Sequence, residues 1–166
     1  MPVCGSGKPR GKMPKNNWKR LGKTRRAGVL APLFSIYSED SAGIGDLDDL
    51  KLMIDWCKDS GLSTYQLLPM NEVGPTFCPY DAVSSFALEP MYISLKSLPE
   101  PDDKAAKSRF SALRKKFPAG GKNVNYGIKG AKRELLWQVF SGHKKGRKSA
   151  EFEKFLSENG YWINDF

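Results

Sequence analysis

The segment Asn71 to Phe86 reads NEVGPTFCPYDAVSSF and gathers the side chains best suited to grip a neutral, hydroxyl-rich ligand. Its prolines and Gly74 restrict its path, and Tyr80 is set where it can present a ring face. Sugars expose axial C–H faces that pack on aromatic rings, while their hydroxyls need polar partners. A tyrosine beside Asp81, Ser84 and Ser85 supplies both. The same ring would also serve as a packed core tyrosine with a satisfied hydroxyl. Glycosidic chemistry takes two carboxylates, about 5–5.5 Å apart in a retaining enzyme. The acids near this segment are Asp40, Glu72, Asp81 and Glu89. None forms a recognisable acid/base pair, and each reads as a solvated or capping carboxylate. Cys78, next to Pro79, has no evident base partner to activate it as a nucleophile. Gly43-Ile44-Gly45 is not the phosphate-binding G-x-G-x-x-G pattern, and the chain has no P-loop.

The elements around the segment place it. Ala27 to Phe34 (AGVLAPLF) is a short apolar run, the pattern of a strand buried on both faces of a parallel sheet. Pro32 cannot donate to a ladder and belongs near the strand's end. After a polar loop, Ser35 to Gly45, Asp46 is a good helix N-cap, and Asp48 and Asp49 sit where the dipole favours negative charge. Leu47, Leu50, Ile54 and Cys57 form one apolar helix face, and Gly61 supplies the stop. A second apolar run, Thr64 to Met70, completes a βαβ unit. Ligands bind such units at the carboxyl ends of the strands, here in the loops 35–45 and 71–90. The second loop exceeds the usual limit of ~12–15 residues, which points to function. Met91 to Leu95 reads as a short extended piece. Beyond it come helices over Ala105 to Phe117, roughly Tyr126 to Phe140, and Ser149 to Asn159. Leu135, Leu136, Val139 and Phe140, then Phe152, Phe155 and Leu156, are their expected core positions, with Trp162 and Ile163 past Gly160. No third buried strand is evident.

With 166 residues, 40% apolar and 27% charged, the chain has the composition of one globular domain. A complete eight-stranded barrel takes about 250. The net charge of +9 suggests a nucleic-acid binder until it is mapped. Residues 1–26 hold nine Lys or Arg and no acid, which leaves 18 basic against 18 acidic groups elsewhere. That Gly-, Pro- and Lys-rich tail is expected to be disordered. No groove-reading motif accompanies it, so a nucleic-acid partner is not expected. There is no apolar run long enough for a membrane span and no secretory h-region; an acid-free tail leaves organelle targeting open. Cys4, Cys57 and Cys78 form no CxxC pair and read as reduced thiols of a cytoplasmic protein. With His143 as the single histidine, no metal site is expected.

Five motifs in order, AGVLAPLFSI, GIGDLDDLK, YQLLPMNEVG, CPYDAVSSFALEPMYISL and EFEKFLSENGYWINDF, resemble the N-terminal part of the 4-α-glucanotransferases of glycoside hydrolase family 77. The resemblance covers about residues 25–166. It implies an α/β fold: the first βαβ unit of a TIM (β/α)8 barrel (27–96) followed by a mainly helical insertion (97–166), with the barrel incomplete in this chain. It implies transfer of α-1,4-glucan segments between maltooligosaccharides through a covalent glycosyl-enzyme, with no metal or cofactor. Tyr80 would pack on the sugar ring at the cleavage subsite, with Asn71, Asp81 and Ser84 around the same loop. Two positions depart from the family pattern: Cys78 stands where serine is usual, and Phe77 where an acidic or polar residue is. Cysteine is a weak hydrogen-bond donor, so a sugar contact is lost there. The family's catalytic carboxylates come from later strands, beyond Phe166. The chain alone is therefore expected to hold no catalytic residue, to lack transferase activity and, with open sheet edges, to be poorly soluble or partly unfolded. A complementary C-terminal fragment is the partner this implies; a non-catalytic glucan-binding relic is the alternative.

Overall fold

The computed structural model describes residues 24–98, 104–142 and 149–166. Along them run β1 (Gly28–Leu30), α1 (Leu47–Asp59), β2 (Thr64–Gln66), α2 (Lys104–Lys116), α3 (Gly127–Gly142) and α4 (Ala150–Ile163). β1 and β2 pair in parallel with Val29 opposite Tyr65, so α1 is the crossover of a βαβ unit in a mixed α/β domain. Pro32 ends β1 and opens a 3-10 turn, Leu33–Ser35, as a residue without an N–H should. Asp46 starts α1 with a full capping box: its carboxylate accepts the Asp48 and Asp49 amides, and the Asp49 carboxylate accepts the Asp46 amide at 2.9 Å. The expected tail lies, as far as residue 23, outside the described residues, as do Cys4 and His143.

The core does not sit over the sheet. It gathers Leu33, Ala42 and Ile44 from the loop after β1, Met91, Tyr92 and Leu95 from the segment after the long loop, and Leu113, Phe117, Ile128 and Leu135 from α2 and α3. Gly43 (φ +74°) and Gly45 permit this junction. A Cβ on Gly43 would stand 2.9 Å from Phe117 Cβ, and one on Gly45 would stand 2.2 Å from the Leu33 carbonyl oxygen.

Several expectations are corrected. The strands are not buried on both faces: their outer residues are exposed, Leu30 by 56%, and only Val29 and Tyr65 are half-buried. Two strands and one crossover helix make too little wall to cover a sheet, so burial shifts to the loops and helices at its end. On α1 only Cys57 of the expected stripe is buried; Leu50 is half-buried, and Leu47 and Ile54 are exposed. Met91 to Leu95 is not extended throughout: a 3-10 turn, Pro90–Tyr92, begins with the proline, whose fixed φ suits its first position. α4 runs through Gly160 to Ile163 and buries no residue fully, so Phe155 and Leu156 stay exposed. On α3, Leu135 is buried, Leu136 and Val139 half-buried and Phe140 exposed.

Charged side chains are buried beside this core, Lys132 most completely. The Lys132 side chain is fully buried, and its ammonium stands 3.9 Å from Asp46 Oδ2 with no hydrogen-bond partner among the described residues. Burial pushes the amine down to about 8, against the pull of Asp46 and Asp49. Burial likewise raises Asp46, opposed by Lys132 and by the amides it caps. The linkage sign follows. Below pH 8 the amine is charged in both states, and between 8 and its ordinary 10.5 only the unfolded chain keeps the proton. Stability from this group therefore rises with pH across that window. Urea unfolding at neutral pH and near pH 10 should show wild type gaining on Lys132→Met by roughly 1–3 kcal/mol. An unchanged difference would mean that Lys132 does not titrate there.

Candidate functional site

The loop that follows β2 is closed at its base by a short antiparallel ladder. Asn71 bridges Leu88, the Glu72 amide donates to the Ala87 carbonyl at 2.9 Å, and the Glu89 amide donates to the Met70 carbonyl at 2.9 Å. Further out, the Val83 amide donates to the Glu72 carbonyl at 2.8 Å. The tip is the turn Cys78-Pro79-Tyr80-Asp81, closed by the Asp81 amide on the Cys78 carbonyl at 3.0 Å. Proline at the second turn position fixes the corner, and Tyr80 takes the third. Its side chain is therefore driven outward, 74% exposed, with the exposed Asp81 beside it.

The four expected site residues divide accordingly. Tyr80 and Asp81 share the tip. Ser84 is on the returning arm, where its hydroxyl oxygen accepts the Phe86 and Ala87 amides at 3.2 and 3.0 Å. Its proton remains available for donation. Asn71 is half-buried in the basal ladder. Among the described residues the Tyr80 ring is not packed in the core. Cys78, the first residue of the turn, is an exposed free thiol.

Two of the four candidate carboxylates, Asp40 and Glu89, are engaged elsewhere. Asp40 ion-pairs with Lys96 and Arg114, and the hydrogen bond and charge of Lys96 hold it below the usual range. Glu89 is buried, its Oε2 2.8 Å from the Lys129 ammonium of α3 and 3.2 Å from the Val73 amide. The burial of Tyr92, helped by the nearby Glu89 charge, pushes that phenol up to about 12. Lys129 also donates to the Thr76 carbonyl at 3.2 Å and lies 5.6 Å over the Phe77 ring. Phe77 in turn stacks on Tyr126 at 4.4 Å and meets Phe34 edge-on at 6.4 Å. On the other arm, Phe86 stacks on Trp162 of α4 at 5.9 Å and meets Tyr161 edge-on at 5.5 Å. The loop is thus braced from both sides while its tip is free. A separate groove between α2 and α3, lined by Phe110, Leu136 and Trp137, is apolar and holds none of these residues.

Lys129 went unnoticed in the sequence, and so did the partnering of Glu89. The signal was present: Ile128, Lys132, Leu135 and Val139 follow the helical apolar spacing, with lysine in a core position and Lys129 next to it.

A family model described as 4-alpha-glucanotransferase matches residues 31–166. A 4-alpha-glucanotransferase of Chlamydia caviae is 37% identical over 158 residues, 92% of this chain and 29% of its own length. One from Oryza sativa subsp. japonica is 34% identical over 149 residues, 86% of this chain and 16% of its own. One from Aquifex aeolicus is 34% identical over 147 residues, 86% of this chain and 28% of its own. The chain spans less than a third of the length of these relatives and matches their N-terminal portion.

The geometry separates the two roles in stability. In urea unfolding, Tyr80→Ala should leave stability within about 0.5 kcal/mol of wild type, as for an exposed side chain. Glu89→Ala should lower it by about 3–5 kcal/mol, because a buried ammonium loses its partner. A Tyr80 variant as damaging as the Glu89 variant would place the ring in the core.

Proposed function

The chain belongs to the 4-alpha-glucanotransferase family, and on that premise we propose that it forms the part of such an enzyme that grips an α-1,4-glucan at the 71–90 loop. The reaction is transfer of glucan segments between maltooligosaccharides with retention. The parallel β1–α1–β2 unit supports this reading: taken as the first unit of the enzyme's barrel, it carries this loop at the carboxyl end of a strand, where ligands bind in such folds. The observation that carries the reading is the Cys78–Asp81 turn: an exposed tyrosine ring with a carboxylate beside it, on a base held by main-chain hydrogen bonds.

Each group then has a task. The Tyr80 ring packs on the C–H face of one glucose unit. Asp81 accepts from a sugar hydroxyl, Ser84 donates its free proton, and the Asn71 amide offers both functions. Chemistry by retention needs a second, free carboxylate near the first. Asp40 and Glu89 are each engaged by lysine. Asp81 stands beside the Tyr80 ring and Glu72 in the basal ladder. On this reading both serve binding and orientation of the glucan, with the chemistry supplied from elsewhere in the enzyme. No helix of the described residues is long and apolar enough to cross a membrane.

One ring platform and a few exposed hydrogen bonds correspond to a Kd of about 1 mM. Calorimetric titration of the purified chain with maltoheptaose should show saturable binding in that range. Tyr80→Ala should weaken it roughly tenfold, and maltotriose incubated with the chain alone should yield neither glucose nor longer oligomers. Equal affinity in the Tyr80 variant would overturn the assignment of the loop; disproportionation would overturn the division between binding and chemistry.

A further inference from the structure

We propose that Lys129 is a positioning residue for the glucan-binding loop, setting from inside the helical region where Tyr80 stands; this rests on the preceding reading of that loop. One ammonium meets three parts of it: the Glu89 carboxylate at 2.8 Å, the Thr76 carbonyl at 3.2 Å and the Phe77 ring at 5.6 Å. Glu89 closes the triangle by accepting the Val73 amide, 16 residues upstream. Val73 and Thr76 belong to the outgoing arm, and Glu89 ends the returning one. A single buried cation therefore ties together both arms of the span that carries the Cys78–Asp81 turn. Both partners are out of water, with side-chain exposures of 10% for Lys129 and 2% for Glu89. In that setting the contact is little screened by salt and is bound to a fixed geometry.

The tip has nothing comparable of its own. Tyr80 is held by one turn hydrogen bond, between Asp81 and Cys78, and by Pro79. Where the ring stands relative to a bound sugar thus depends on how the arms beneath are spread; the basal ladder pairs them, and Lys129 adds the side-chain tie that joins Thr76 and Phe77 to Glu89. A loop already held in its binding shape loses less freedom when ligand arrives, which is a gain in affinity without any new contact.

The test separates positioning from stability. In Lys129→Met/Glu89→Gln both buried charges go together, and glutamine can still accept the Val73 amide, so no buried charge is left unpaired. What is lost is the tie to Thr76 and Phe77. Maltoheptaose titration should show roughly tenfold or greater loss of affinity in this variant, with cooperative unfolding preserved. Lys129→Arg, which keeps a cation with several donors, should stay within about threefold of wild type. A folded double variant that binds as wild type does would overturn the proposal. So would a loss of affinity that appears only together with loss of cooperative unfolding, because Lys129 would then act on stability alone. If wild type itself does not bind maltoheptaose, the functional reading falls and this inference falls with it.

Discussion

Two ammonium groups one helical turn apart on the buried side of α3 have to be neutralised inside the protein, and the rest of the domain is arranged to do it. Lys129 points to the loop after β2 and finds Glu89 at 2.8 Å. Lys132 points to the start of α1 and finds Asp46 at 3.9 Å. An unpaired buried charge costs several kcal/mol, roughly the whole margin by which a domain is stable. Both acids must therefore stay in place, and each belongs to a segment that follows a strand. In this way α3 holds the two loops at the carboxyl end of the βαβ unit in one body with itself.

The apolar core follows the same plan. Leu33 and Ile44 from the first loop, and Met91 and Leu95 from beyond the second, meet Leu113, Ile128 and Leu135 of the helices. The strands contribute little, and their faces stay open. Stability is concentrated where the loops meet the helices, the reverse of what a sheet-centred picture of a βαβ unit suggests. The result is a loop with a held base and an exposed tip, which suits the ligand-facing role proposed for the Tyr80 ring.

Much of the chain could be read from local chemistry. Asp46 announced α1, since a carboxylate before an apolar periodic run is a strong start signal, and Gly61, at φ +73°, ended it. Pro79, legible only as a restriction on the loop's path, takes the second position of the turn that lifts Tyr80. The parallel pairing of the two apolar runs also came through, although β1 and β2 are shorter than those runs. What local pattern could not reveal depends on distant partners. Apolar strands look buried whether or not anything covers them. Gly160 looked like a helix stop, but near a helix end one glycine costs about 1 kcal/mol, and neighbouring contacts offset it. The Trp162 indole N–H donating to Asn159 at 3.1 Å is one such contact. Lys129 and Glu89 are 40 positions apart, and nothing in either neighbourhood marks them as a pair.

The central claim is that the 71–90 loop is built into the same cooperative unit as α3. Amide hydrogen exchange on the intact chain tests it most directly. The donors of the loop's base, Glu72, Val73, Val83 and Glu89, should exchange with protection close to that of the α3 amides, because opening the base requires separating Lys129 from Glu89. Exchange of those four amides at the rate of an unstructured peptide, with α3 still protected, would show that the loop opens independently and would contradict the account.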